Sequence, residues 1–193
     1  MKKIVFILAV FVLASSFASA QVYNVDNKKS TLNWLAKKVT GQHEGTVSIK
    51  SGQLVFDKSI LKSGTFVINM QSFVCTDIKD ADTNAKLIGH LRSEDFFSVT
   101  ANPEASLVIT QVKVVDKTTY QIKAKLTIKG ITDMVDFPAT LSISNGKVTA
   151  VANIVVDRTK YNVRYGSAKF FDSLGDKAIS DVFEIMVKLE ASK

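Results

Sequence analysis

Tyr120-Gln121-Ile122-Lys123-Ala124-Lys125-Leu126-Thr127-Ile128-Lys129 alternates apolar and polar residues without a break. Successive side chains of a strand point to opposite faces. Tyr120, Ile122, Ala124, Leu126 and Ile128 therefore share one face, and the intervening polar residues share the other. The first face belongs in a core and the second in water, so this strand is buried on one side only. The same rhythm predicts strands at about 22–27, 30–40, 43–50, 53–57, 64–72, 105–115, 119–129, 134–144, 147–157 and 181–191. Parity turns Leu32, Trp34 and Ala36 inward together, as it does Val47 and Ile49, Leu54 and Phe56, and Phe66, Ile68 and Met70. Leu107 and Ile109, Leu141 and Ile143, Ala152 and Ile154, and Phe183, Ile185, Val187 and Leu189 follow the same rule. Many one-sided strands must share an apolar interior, and closing the sheet removes its edges. A barrel of about eight strands holds side chains or one small ligand. A sandwich with a filled core has the same alternation, and periodicity alone does not separate the two.

Turn signals fall at Ser51-Gly52, Ser63-Gly64, Asp116-Lys117 and Asn145-Gly146. Two segments break the strand rhythm. Residues 82–93 read as a helix with Asp82 as cap and Ala85, Leu87, Ile88 and Leu91 as its apolar stripe, and 93–97 reads as a second capped turn. Residues 158–180 form a long loop carrying Tyr161, Tyr165, Phe170 and Phe171. A loop of that length in a compact domain is functional or disordered. Four aromatics argue against disorder, so the loop is expected to be a lid or rim over one barrel end.

The chain starts with Lys2 and Lys3, an apolar run from Ile4 to Ala14, and Ala18-Ser19-Ala20. This is the pattern of a secretory signal peptide over residues 1–20, and its apolar run is shorter than the about 20 residues that span a bilayer. Residues 21–193 are then one domain, periplasmic or secreted. Of 25 Lys and Arg, Lys2 and Lys3 lie in the leader, which leaves 23 against 18 acidic side chains. That excess is spread along the strands, whereas nucleic acid calls for a concentrated basic stripe. A mild, transient attraction to anionic lipid surfaces is the economical reading. Cys75 is the sole cysteine, so no internal disulfide forms, and it reads as a small buried hydrophobe.

Three stretches resemble the YceI-like family of lipocalin-like, polyisoprenoid-binding secreted proteins. The first is Gly89-His90-Leu91-Arg92-Ser93-Glu94-Asp95-Phe96-Phe97, with Pro103 and the strand from Ala105 after it. The second is Leu126-Thr127-Ile128-Lys129-Gly130-Ile131-Thr132. The third is Asp157-Arg158-Thr159-Lys160-Tyr161, with Phe170-Phe171-Asp172-Ser173-Leu174-Gly175-Asp176 behind it. The resemblance spans about 22–191, and residues 38–45 are similar to a distinct branch of the family. It implies an all-β fold, a lipocalin-like antiparallel eight-stranded β-barrel with the short helix at about 82–93 and the aromatic loop at 158–180. It also implies that the interior takes an isoprenoid or other long-chain lipid.

Candidate cavity residues are Trp34, Phe56, Phe66, Ile68, Met70, Ile109, Leu126, Ile154, Phe183 and Ile185. Aromatics and Met give contact area and adapt to irregular ligands. At the mouth, His90, Arg92, Arg158, Tyr161 and Arg164 are candidates to meet a phosphate or amide head group, because the Arg fork suits phosphate. The plainer reading of Arg158 is an ion pair with Asp157 that closes the barrel end. His43 and His90 are the only histidines, without zinc-site spacing. No nucleophile elbow, phosphate loop or dinucleotide fingerprint occurs. The expectation is a binding protein with no catalytic residue, cofactor or metal; a homodimer is compatible with the exposed strands. The rival readings are a lipid-modifying enzyme using the His43/His90 region and a ligand-free envelope stress protein.

Overall fold

The structure is a computed structural model that describes residues 20–193; the expected signal peptide, apart from Ala20, lies outside the described residues. Within them the chain forms nine strands and one α-helix. They are β1 (Gln21–Val25), β2 (Thr31–Lys38), β3 (Gly41–Asp57), β4 (Ile60–Cys75), α1 (Ala81–Arg92), β5 (Glu104–Val114), β6 (Thr119–Ile128), β7 (Ile131–Ser144), β8 (Lys147–Asp157) and β9 (Ile179–Ser192). From β2 to β9 each strand pairs antiparallel with its successor, and β9 returns to pair with β2 from Thr31↔Lys188 to Lys38↔Ile179. The sheet is thus a closed eight-stranded barrel. β1 extends the place that β2 holds in the ring: it pairs with β3 beyond the point where β2 leaves it, and with the end of β9. Ser30 ties this junction, its hydroxyl donating to the Glu190 carbonyl and accepting from the Glu190 amide.

Two expected turns are instead points inside long strands. β3 runs through Ser51-Gly52 with its register slipping between Ile49 and Ser51, and β4 runs through Ser63-Gly64. Glycine serves close approach at both places. A Cβ on Gly52 would meet Phe66 Cδ1 at 2.7 Å, and one on Gly64 would meet Leu54 Cδ2 at 2.9 Å. Gly in a strand often marks such a bulge or crowding. The actual β3–β4 turn is Lys58-Ser59, with φ of 48° and 69°. Lys129-Gly130 and Asn145-Gly146 make the same two-residue, left-handed hairpins. A second irregularity in β4, between Asn69 and Val74, shifts its parity, so Phe73 and Cys75 are buried although Phe66, Ile68 and Met70 are their even-numbered companions.

The helix cap also differs from expectation: Asp80, not Asp82, accepts from the Thr83 amide at 2.9 Å. The helix and the loop after β8 lie at one barrel end, with the β2–β3 and β6–β7 turns. The opposite end, with the β3–β4 and β7–β8 turns, is packed solid. Phe56, Leu61 and Val148 are fully buried there, and Tyr23 packs edge-on to Phe56 at 5.3 Å.

A left-handed backbone at a non-glycine residue costs about 1–2 kcal/mol. Ser59→Gly removes that strain, less the unfolded-chain freedom of Gly, and should raise stability by about 0.5–1 kcal/mol in urea unfolding. Ser59→Val should lower it.

Candidate functional site

A cavity of about 200 Å³ runs along the barrel axis, bordered from Leu54 and Leu61 near the packed end to Phe97 and Ile179 at the other. Of the expected cavity residues, Trp34, Phe66, Ile68, Met70, Ile109, Leu126, Ile154, Phe183 and Ile185 border it. Phe56 does not. It is wholly buried beneath Tyr23 and belongs to the floor.

The void follows from side-chain size at inward positions. Ala139 faces Ala152 across β7 and β8, Ala150 faces Leu141, and Ala36 faces Phe183. All four alanines border the cavity, as does Ala105. Alanine cannot reach the barrel axis, so space remains where leucine would fill it. Phe183, Ile185 and Val187 point inward and border the cavity yet are only half-buried, so the surface they keep faces the void. Sequence reasoning missed the alanines at 105, 139 and 150. Their inward parity within strongly apolar strands was the available signal.

Aromatic rings roof the other end. Trp34 contacts Phe73 at 6.4 Å, Phe73 stacks on Phe97 at 5.4 Å, and Phe97 meets Phe183 at 6.2 Å. Phe96 and Phe97, delivered by the turn after α1, border the cavity and were not among the expected site residues. Phe96 also touches Tyr165 of the loop at 5.5 Å, which joins helix and loop into one cover. The indole N–H of Trp34 is buried without a partner among the described residues, at a cost of about 1–3 kcal/mol.

Arg158 is the one expected mouth residue that borders the cavity, but it is not free to hold a head group. Its Nε donates to the Ser180 carbonyl, one terminal nitrogen donates to the Val163 and Tyr165 carbonyls, and the other donates to the Ile179 carbonyl. These bonds are 2.8–3.0 Å long. The expected ion pair with Asp157 is also replaced. Asp157 caps its own turn through the Thr159 amide and hydroxyl, and the carboxylate beside Arg158 is Asp181, at 3.7 Å. Arg158 thus clasps the loop to the start of β9. Tyr161 is buried beneath the loop, and burial pushes its hydroxyl up to about 12. Arg92 donates to the Gln71 and Phe73 carbonyls. His90 lies between the rings of Phe96 and Tyr165, with Asp95 at 3.3 Å. Arg164 is exposed over the Phe170 ring at 4.8 Å. The five residues are dispersed around the cover and do not converge on one head-group pocket.

The two histidines engage separate carboxylates. His43 Nδ1 lies 2.8 Å from Asp77 Oδ2, while Asp77 Oδ1 accepts from the Glu44 amide and the Cys75 thiol. Burial raises the Cys75 thiol further, and the carboxylate stands between thiol and imidazole. That order is the reverse of an activated nucleophile, in which the base contacts the attacking group directly. Among the described residues, no group of three or more His, Cys, Asp and Glu is placed to hold a metal ion.

The sequence profile of the YceI-like domain matches residues 23–191. No curated protein matches the chain. Among solved structures it is similar to BcnA of Burkholderia cenocepacia, with 24% identity, a TM-score of 0.70, and 87% of this chain and 99% of that one covered. It is also similar to a polyisoprenoid-binding domain from Saccharophagus degradans implicated in plant cell wall breakdown, with 16% identity, a TM-score of 0.63 and 88% and 97% covered. The Campylobacter jejuni YCEI protein gives 15% identity, a TM-score of 0.58 and 100% and 99% covered. At these identities the structural likeness is one of fold.

Two outcomes follow from the polar contacts. Arg158→Met leaves four carbonyls without their donor and should destabilise the protein by about 3 kcal/mol or more in urea unfolding. Burial raises the Asp77 carboxyl, but hydrogen bonds from Glu44, His43 and Cys75 outweigh it and hold the group at about 2, below its usual 3.8. A depressed carboxylate stabilises the fold above its unfolded value and loses that contribution as pH falls through the folded one. Wild type should therefore lose stability between about pH 4 and pH 2 more steeply than Asp77→Asn in acid unfolding.

Proposed function

The chain belongs to the YceI-like family, and on that premise we propose that it binds and carries a long-chain apolar ligand, an isoprenoid or similar lipid, within its barrel. The observation that carries this reading is an axial void whose wall is almost wholly apolar and whose one charged contributor, Arg158, has its donors engaged by backbone carbonyls. Burying a chain gains about 0.8 kcal/mol per methylene before ordering costs. A dozen carbons then supply roughly 10 kcal/mol gross without any charged contact. The description of the Saccharophagus neighbour as a polyisoprenoid-binding domain supports an isoprenoid over a straight acyl chain. The role is binding, not turnover: the one hydroxyl-bearing residue of the wall, Ser180, is engaged by the Val182 carbonyl and amide, and Cys75 and both histidines lie outside the wall. The leader pattern at residues 1–20 supports a periplasmic or secreted location.

Trp34 is the only tryptophan and lies in the cavity wall, so its fluorescence reports occupancy directly. Titration with the prenyl alcohol geranylgeraniol should shift Trp34 emission. Ala152→Phe places a ring in the void and should weaken binding by at least about tenfold, while the melting temperature stays level or rises because a cavity has been filled. Equal binding by both proteins would move the ligand elsewhere. Native mass spectrometry of protein isolated from its own compartment should show a co-purifying lipid unchanged in mass by the protein; an altered lipid would favour an enzyme.

A further inference from the structure

We propose that the covered end of the barrel docks on an anionic lipid bilayer through a ridge built from the tip of the β8–β9 loop and the β2–β3 hairpin. The loop tip presents Phe170 and Phe171, 40% and 49% exposed, and the hairpin presents Val39, 65% exposed. These apolar side chains alternate with cations. Lys169 and Arg164 lie over the Phe170 ring, at 5.9 Å and 4.8 Å from its centroid, and Lys37 and Lys38 precede Val39. Loop and hairpin meet: the Val39 amide donates to the Ala178 carbonyl at 3.2 Å, and Lys37, Lys38 and Val39 face Ala168 and Ala178 across a shallow groove.

The display is built into the backbone. Ser167 is fully buried, and its carbonyl accepts from both the Phe170 and the Phe171 amides at 3.1 Å. Its hydroxyl accepts from the Lys169 amide. The loop that holds it is clasped by Arg158. Two adjacent rings are thus fixed on a tight turn facing water, which costs free energy unless something apolar covers them.

Charge and position select the occupant. Rings flanked by Lys and Arg fit the boundary between anionic head groups and acyl chains, where apolar side chains insert and cations pair with phosphate. Carboxylates are also present at this end. Asp172 and Asp176 lie in the same loop, Asp181 beside Arg158, and Glu184 is paired with Lys37 and Asn153. Asp181 and Glu184 are thus engaged by neighbouring cations, and within the two segments of the ridge, 37–43 and 164–177, the cations Lys37, Lys38, Arg164, Lys169 and Lys177 outnumber the carboxylates Asp172 and Asp176. The ridge belongs to the end at which the cavity's aromatic cover lies, so docking would set the cover against the phase from which an apolar ligand comes. This inference deepens the carrier reading and rests on it for its purpose, although bilayer binding is measured without the ligand.

Co-sedimentation of the protein, produced from the full chain, is compared on vesicles of phosphatidylcholine alone and of phosphatidylcholine with phosphatidylglycerol. Partition onto the anionic vesicles should exceed that onto the neutral ones and fall with added salt. Lys38→Gln with Lys169→Gln should reduce it by about fivefold per residue. Phe170→Ala with Phe171→Ala should reduce it by at least about tenfold on anionic vesicles. Geranylgeraniol titration of each variant in solution separates the two readings. Unchanged prenyl binding with lost partition supports docking by the ridge. Absence of vesicle binding by the wild type, or partition insensitive to all four substitutions, overturns it whether or not prenyl binding persists, and would leave the exposed rings to a protein partner.

Discussion

Everything in this molecule depends on the backbone seam between β2 and β9. Eight strands, each apolar on one face, form a sheet that would otherwise end in two rows of unpaired N–H and C=O groups. The ladder from Thr31↔Lys188 to Lys38↔Ile179, with its irregularity between Ala36 and Lys38, removes both edges. Once closed, the sheet has only one inside, and residue size decides whether that inside is solid or hollow. At the floor the inward residues are large and interlock. Higher up, alanines at 36, 139, 150 and 152 leave the axis empty.

Strand periodicity was readable because water and core impose opposite demands on alternate residues. The ten-residue alternation at 120–129 was enough to orient a strand, and parity identified most of the wall. The Ser51-Gly52 and Ser63-Gly64 pairs misled because glycine satisfies two different constraints, a left-handed turn and a close approach by a neighbouring side chain. Only the three-dimensional crowding by Phe66 and Leu54 distinguishes them. The real turn at Lys58-Ser59 carried no glycine and so no local signal. Phe73 was hidden for a related reason: the irregularity between Asn69 and Val74 breaks parity, and nothing in those residue types announces it.

Arg158 shows the limit of reading chemistry from residue type. A guanidinium near an expected mouth suggests recognition of an anion. The Arg158 guanidinium instead makes four hydrogen bonds to backbone carbonyls, two in the loop and two at the start of β9. Carbonyls at 163, 165, 179 and 180 all accept from this one side chain. The family stretch Asp157-Arg158-Thr159-Lys160-Tyr161 is in this light an architectural device: Asp157 starts the turn, Arg158 anchors the return path, and Tyr161 fills the space between.

The packed floor has a consequence for the cargo. A tube sealed by Phe56, Leu61 and Val148 would admit the proposed ligand from one direction only, its leading tip resting against those side chains. Such a floor works as a ruler. On the carrier reading, a chain shorter than the tube would leave wall unwetted and a longer one would protrude, so length would be measured at the bottom. Relatives with a bulkier or slimmer residue in place of Leu61 would then prefer a different chain length without any change at the rim.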